Sequence, residues 1–251
     1  MWVLLYLPHL RTVPGWYGDE TLIHNTARDL ASGKATNFAL WNTFWHPHYP
    51  YQPLYTFVCG LFARAAGGDI VGSRLFNALL ALAVAVSIYL LGRRSFGILA
   101  AFFAACLFLT YEQTIIHFRM CYAHNATGLG LLLMTLFLLR PPRPANDWKA
   151  GLGLMVAAGS HPLFIHGAIS AWLTRILHPR SWVRLFLPTA VYLIISLAVL
   201  YFFFGTWLIQ DIVHLKNTFS SRGDHDGEGA YAVFNLLEFI LQDAFHLAAF
   251  V

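Results

Sequence analysis

Two parts of the chain carry side chains whose types and spacing suit catalysis. Asp19 and Glu20 form an acidic pair in the string GWYGDE. A carboxylate close to the low-dielectric boundary of a membrane can act as a general base. Arg119 is the only formal charge between Ile115 and Leu139. An arginine at the edge of a membrane suits a planar, bidentate grip on a phosphate.

Both parts also have purely structural interpretations. Asp19 can be the N-cap of a helix, where the helix dipole favours an acid. Arg119 can extend to the lipid head groups or pair with Glu112. The local sequence leaves these alternatives open.

A histidine-rich aromatic run, WNTFWHPHYPYQPLY, lies between these two parts. His46 and His48 are two residues apart, and with His24 and an acid they can supply a metal site of three or four ligands. The Trp and Tyr rings of the run fit an interfacial aromatic belt equally well, and such rings also stack on sugar faces. The polar string SRGDHDGEG at 221–229 lacks the full ligand pattern of a calcium loop, so we expect a solvated loop there.

The elements that must position these residues are membrane helices. Of the 251 residues, 58% are hydrophobic and 11% are charged, whereas a soluble domain carries about 25% charged residues. Long apolar blocks at 75–91, 98–109, 129–139 and 185–204 exclude a disordered chain and an outer-membrane barrel. Three widely spaced cysteines predict neither a disulfide framework nor a cysteine metal site. We therefore expect an all-α, polytopic membrane protein.

The positive charges orient this protein in the membrane. Connections around Arg93, Arg143 and Arg180 are predicted to be cytoplasmic. Such loops account for the net charge of +4, so we expect no nucleic-acid partner. The spans between them are expected at 74–92, 97–111, 120–139, 150–161, 162–176 and 184–206. Because the two at 150–176 are short, they are candidates for a broken or re-entrant hairpin.

The remaining polar stretches are predicted to lie on the outer face. Residues 11–73 form a large loop with interfacial helices from Asp19 to about Ala31 and from Tyr55 to Ala66, and residues 207–234 form a second loop. Met1 to Leu10 covers about 15 Å of a hydrocarbon core of about 30 Å, so we expect the outer end of a first span there. The chain, 1–251, is expected to be one transmembrane domain that is incomplete at both ends.

Several short motifs follow one another in a fixed order. They are Asp19-Glu20, Gln52-Pro53-Leu54-Tyr55, Ser73-Arg74-Leu75, Leu91 to Gly97, and Arg119 to Tyr122. This order resembles the GT-C glycosyltransferases, in particular the protein O-mannosyltransferase and aminoarabinose-transferase group. The resemblance covers roughly Met1 to Arg140, and it departs from the family at Gln52, where many members have a proline.

The resemblance implies transfer of a sugar, hexosyl or pentosyl, from a polyprenyl-phosphate carrier to a protein, lipid or glycan. The reaction would occur on the non-cytoplasmic face of the plasma (inner) membrane. By the same resemblance Asp19 is the base or the acid that organises the acceptor, Glu20 is the second acid, and Arg119 faces the lipid phosphate. Further substrate contacts are expected from Arg74, Tyr122, His46 and His48. No cofactor is required, although a divalent ion on the two histidines and Glu20 is an alternative.

A non-enzymatic membrane protein, such as a transporter or a lipid-binding subunit, is the competing interpretation, as is an inactive fragment. A transporter would show internal repeats and polar residues near the middle of the bilayer. The polar residues of this chain gather at the predicted outer face instead, which favours the enzyme.

Overall fold

A computed structural model describes residues 1–15, 20–32, 53–161 and 164–204 of the chain. Within these ranges every regular element is an α-helix, which confirms the predicted all-α class. In chain order the helices are α1 (Trp2–Tyr6), α2 (Glu20–Ala31), α3 (Pro53–Ala65), α4 (Ile70–Ser95), α5 (Ile98–Thr110), α6 (Glu112–Phe118), α7 (Ala123–Leu138), α8 (Pro144–Ala158), α9 (Phe164–Thr174) and α10 (Pro179–Phe204). One compact unit covers Met1–Phe203. The second unit, which includes the predicted loop 207–234, lies outside the described residues apart from Phe204.

Helices α2 and α3 occur where the sequence predicts interfacial helices. They pack closely at Gly60, where a Cβ atom would lie 2.0 Å from the carbonyl oxygen of Ala27. Only a residue without a side chain permits this approach of two backbones. Arg64 fastens the pair, because its Nη1 donates to the carbonyl of Ala31 at the end of α2 over 2.8 Å.

Helix α4 contains 26 residues and is about 39 Å long. It begins at Ile70, four residues before the predicted span, because Asp69 caps it: Oδ1 accepts the backbone N–H of Val71 at 2.9 Å. Its last turn contains Arg93 and Arg94, the two basic residues of the predicted cytoplasmic turn. Gly97, with a φ of 86°, then allows the chain to reverse into α5.

Two described helices are individually long and apolar enough to cross a membrane, namely α4 and the Pro179–Ala198 part of α10. Helices α5 and α6 meet at an angle of 64° and qualify only as a bent pair. Helices α7, α8 and α9 lie where further spans are predicted, but their 16, 15 and 11 residues cover only about 24, 22 and 16 Å. These lengths fall short of a core of about 30 Å, and the broken or re-entrant hairpin at 150–176 stays a prediction.

The start of α8 differs from the prediction. The predicted connection around Arg143 is rich in proline and extends to the span expected at 150–161. In the structure, Asp147 and Lys149 of this connection already belong to α8. Pro144 occupies the first turn of this helix, where its missing N–H is not needed, so the proline begins the helix instead of delaying it.

Helix α7 is shared between two cores. One buried cluster joins the N-terminal helices to the first half of α7, and the other joins the second half to α8, α9 and α10. The contact between α7 and α8 depends on two glycines, since a Cβ at Gly130 would lie 2.7 Å from the carbonyl oxygen of Gly153. The first core carries the predicted site residues.

Candidate active site

The turn from Arg119 to Tyr122, between α6 and α7, is the meeting point of the predicted site residues. Arg119 reaches the N-terminal segment, Cys121 reaches Glu20, and the ring of Tyr122 contacts that of His117. Four residues outside a helix therefore contact two parts of the chain that are distant in sequence, the N-terminal segment and the start of α2.

Glu20 and Arg74 form a buried, bidentate ion pair. Nε of Arg74 lies 2.9 Å from Oε1 of Glu20, and Nη2 lies 2.6 Å from Oε2. Both side chains are 0% exposed. Oε1 also accepts the backbone N–H of Cys121 at 3.1 Å. Parallel hydrogen bonds of this kind fix the position and the orientation of both planar groups.

Arg74 also holds the segment that leads to the acidic pair. Its Nη1 donates to the carbonyls of Leu10 and Pro14 at 2.8 and 2.9 Å. Neither residue is helical, so these carbonyls need partners from elsewhere in the fold. Loss of either charge would leave the other one buried and unpaired, a change that typically costs about 3–5 kcal/mol.

Arg119 lies in a different electrostatic environment. Its side chain is 8% exposed, its Nη1 donates to the carbonyl of Leu5 at 3.0 Å, and its Nη2 donates to the carbonyl of Pro8. Within the described part of the chain no carboxylate, including that of Glu112, forms an ion pair with it, and its Nε is buried without a hydrogen-bond partner. Burial and the neighbouring charge of Arg74 lower the pKa of Arg119 from its usual value. The described residues thus leave one positive charge uncompensated beside a neutralised pair.

A chain of side-chain hydrogen bonds connects the helices next to this turn. Nδ2 of Asn77 donates to the hydroxyl of Tyr55 at 2.9 Å, and Nδ2 of Asn125 donates to Oδ1 of Asn77 at 2.9 Å. Asn125 also donates to the carbonyl of His117 at 3.0 Å. Buried networks of this kind specify one arrangement of the helices that they join, here α3, α4, α6 and α7.

Two imidazole rings lie next to Tyr122. The ring centroids of Tyr122 and His117 are 5.8 Å apart, and those of Tyr122 and His124 are 6.4 Å apart. His161, after the end of α8, packs against His124 with a centroid distance of 4.1 Å and an angle of 36° between the ring planes. The cluster gives this side of the turn flat faces together with polar ring edges.

A groove of about 470 Å³ runs beside this cluster, within the usual size range of small-molecule sites. Its polar side chains come from α6 and the first turn of α7, and its apolar side chains come from α4, α5 and the remainder of α6 and α7. The polar residues are Gln113, Thr114, His117, His124 and Asn125. The apolar residues include Val84, Ile88, Phe108 and Leu132.

A metal site is not formed by the described residues, among which no group of three or more His, Cys, Asp or Glu side chains can hold an ion. Both oxygens of Glu20 already accept hydrogen bonds from Arg74, which makes Glu20 a poor metal ligand. His46 and His48 lie outside the described residues. The ion bound by these histidines and Glu20 stays a prediction.

Asp19 also lies outside the described residues, directly before Glu20 in the chain. Of the predicted site residues, the fold brings together Glu20, Arg74, Arg119 and Tyr122. The residues that complete this arrangement were not predicted from the sequence, namely His117, His124, Asn125, Asn77 and His161. The first three flank Arg119 in the string HFRMCYAHN, so polar residues in an apolar setting were an available signal. Asn77 and His161 reach the site only through helix packing.

Most residues of this arrangement lie in a segment that matches a known protein family. Residues 46–164 match the family described as dolichyl-phosphate-mannose-protein mannosyltransferase. The match confirms the resemblance found in the sequence, and it identifies a membrane glycosyltransferase family of the GT-C type.

The part that matches the mannosyltransferase family contains Arg74, Arg119 and Tyr122 and begins at His46. It does not include Asp19 or Glu20. No curated protein and no solved structure matches the chain significantly. The roles of individual residues are therefore argued from their geometry.

Proposed function

We propose that this protein transfers a sugar from a polyprenyl-phosphate carrier to an acceptor hydroxyl on the non-cytoplasmic face of the plasma (inner) membrane. The observation that carries the proposal is Arg119, a buried guanidinium that no described carboxylate neutralises, beside an amphipathic groove. A buried charge without a partner is costly unless a ligand compensates it. The phosphate of a lipid-linked sugar is a suitable ligand.

The groove suits an amphiphilic donor of this class. The apolar residues from α4, α5 and α7 provide a surface for an isoprenoid chain, and the polar residues of α6 and early α7 provide hydrogen bonds for a head group. Arg119 follows the last groove residue of α6, Phe118, directly in sequence. The rings of Tyr122 and His124 supply faces on which a sugar can stack.

The reaction requires a stabilised leaving group and an activated acceptor. The acceptor oxygen forms a bond to the anomeric carbon, and the bond from this carbon to the phosphate oxygen breaks. Negative charge develops on the departing phosphate, where the guanidinium of Arg119 stabilises it. The proton of the acceptor hydroxyl passes to a carboxylate, and we assign this role to Asp19.

Glu20 has a supporting role in this proposal. Its carboxylate is engaged by Arg74 and by the N–H of Cys121, so it is held as a structural anion and does not serve as a base. The ion pair positions both the residue bonded to Glu20, which is Asp19, and the turn that carries Arg119. No metal ion takes part in any step proposed here.

Turnover and donor binding of the full-length protein, reconstituted in membranes with a polyprenyl-phosphate sugar, test the assignment. Arg119→Lys keeps the charge but loses the bidentate geometry, so we expect donor affinity to fall by roughly tenfold. Asp19→Asn keeps the capacity to cap a helix but cannot accept a proton. It should reduce turnover by about 10²–10⁴-fold with unchanged donor affinity.

Arg64→Lys is the matched control, because Arg64 also donates to a carbonyl at the end of a helix but lies outside the groove. It should leave donor affinity within twofold of wild type. Equal losses for Arg64→Lys and Arg119→Lys would show that capping of carbonyls, and not phosphate binding, explains the effect. Near-normal turnover of Asp19→Asn would contradict its role as base.

A further inference from the structure

A second groove, entirely apolar in its exposed lining, lies between α8 and α10 and has a volume of about 440 Å³. Its walls come from one stripe of each helix. The lining residues are Trp148, Leu152 and Met155 of α8, and Leu187, Pro188, Val191, Tyr192 and Ile195 of α10. Because α10 is long and apolar enough to cross a membrane, we expect this groove to face the hydrocarbon region.

The floor of the groove is fixed by direct backbone contact. A Cβ atom at Gly151 would lie 2.6 Å from the carbonyl oxygen of Leu185 and 2.9 Å from that of Arg184. The two helices therefore touch at this level, one turn from Trp148.

The positively charged residue Arg184 lies at one end of this groove. Arg184 precedes Leu187 by three positions and Pro188 by four, so it continues the groove-lining stripe of α10 by one turn. Its side chain is 33% exposed, and within the described residues its ion-pair contact is a distance of 3.9 Å from Nη1 to Oδ2 of Asp147. That is too long for a hydrogen bond. Most of the donor capacity of Arg184 is therefore available to an anion.

We infer that this groove binds an anionic phospholipid, with an acyl chain against α8 and α10 and the phosphate on Arg184. An apolar channel that ends at a partly exposed arginine matches an amphiphile with a negative head group in both shape and charge. Trp148, 41% exposed at the same end, is the residue type that prefers the membrane interface. This lipid site lies outside the groove of the proposed reaction and does not depend on it.

Native mass spectrometry of the detergent-solubilised full protein, titrated with phosphatidylglycerol or phosphatidylcholine, measures this binding directly. Wild type should retain phosphatidylglycerol more strongly than phosphatidylcholine. Arg184→Gln should reduce the apparent affinity for phosphatidylglycerol by about fivefold. Val191→Phe, which fills the groove without touching the ion pair, should reduce the binding of both lipids.

Two matched controls separate the site from general effects. Lys149→Gln removes one positive charge at the same level of the membrane but not from the groove, and Ile194→Phe enlarges an exposed residue of α10 that does not line it. Both should bind phosphatidylglycerol within twofold of wild type. Equal losses for Lys149→Gln and Arg184→Gln, or for Ile194→Phe and Val191→Phe, would overturn the proposal.

A third experiment distinguishes a lipid phosphate from a free phosphate as the ligand of this groove. Glycerol phosphate, which has the head group but no acyl chain, should not displace the lipid; displacement at equal concentration would indicate a site for free phosphate instead. Unchanged lipid retention in Val191→Phe, together with a loss of dimer mass, would show that a second copy of the chain occupies the groove and would also overturn the proposal.

Discussion

Two buried arginine–carboxylate pairs, one in each core, differ in how many hydrogen bonds their charged groups form. Arg74 and Glu20 share two short contacts, and Glu20 accepts a third hydrogen bond from the backbone of Cys121. Arg175 makes a single contact of 3.3 Å with Asp147, whose Oδ2 is buried without a hydrogen-bond partner. The first pair is therefore a rigid connection, and the second is a looser one.

The two pairs nevertheless use the same construction. Each arginine donates to main-chain carbonyls as well as to its carboxylate, Arg74 to those of Leu10 and Pro14, and Arg175 to those of Leu138 and Arg140. In both places a charged side chain donates hydrogen bonds to carbonyls that have no partner within a helix. The rigid pair is the one that lies beside the candidate active site, where the position of a reacting group matters most.

The largest expected effect comes from breaking each pair in turn. Arg74→Gln should lower the free energy of unfolding by about 3–5 kcal/mol, because Glu20 would remain buried without a counter-charge. Arg175→Gln should lower it by about 1–3 kcal/mol, because Arg184 remains close to Asp147. Urea unfolding in detergent measures both values. A larger loss for Arg175→Gln would reverse the ranking of the two pairs.

A smaller effect concerns the helix starts that position the pairs. Asp69 caps α4, the helix of Arg74, through a hydrogen bond of 2.9 Å, whereas Arg143 at the start of α8 makes no side-chain cap bond. Asp69→Ala should therefore cost about 1 kcal/mol, and Arg143→Ala less than about 0.5 kcal/mol. The same unfolding assay compares the two variants. Equal costs would show that the cap of α4 contributes nothing specific to the rigid pair.

The smallest expected effect is a pH dependence confined to the first region. His24 is 4% exposed, and its Nδ1 lies 2.9 Å from the hydroxyl of Ser73, next to Arg74. Burial, followed by the charge of Arg28, lowers the pKa of His24 below 6.5. A hydrogen bond with the backbone of Gly68 and the charges of Glu20 and Asp69 oppose this shift more weakly. Since the folded state disfavours the protonated ring, the stability that neutral His24 provides is complete above about pH 6.5 and is lost as the pH falls through the lowered pKa.

Thermal unfolding at a series of pH values checks this dependence. The midpoint should fall on acidification below about pH 6.5, and His24→Gln should flatten the profile in that range. Arg175→Gln should leave the shape of the profile unchanged, because the second pair contains no contact with His24. Coinciding profiles of wild type and His24→Gln would contradict the assignment.

Features set by neighbouring residues followed from the sequence. The long apolar blocks determined the helical membrane class, and the order of short motifs pointed to the family that residues 46–164 match. Both features can be read from the sequence because hydrophobic length and motif spacing lie directly along the chain. The bounds of α2 and α3 were predicted to within a few residues for the same reason. The start of α8 was not, since the proline-rich segment was interpreted as a loop and not as a first helical turn.

The partners of the charged residues were decided only by the tertiary structure. Pairing with Glu112 was one alternative for Arg119, but the fold directs Arg119 to carbonyls more than one hundred positions away. The fold also joins Glu20 to Arg74 across 54 positions. These choices depend on how closely the helices approach, which Gly60 and Gly130 permit at specific crossings. A residue type states what a side chain can bind, whereas its partner is set by packing between segments that the local sequence does not connect.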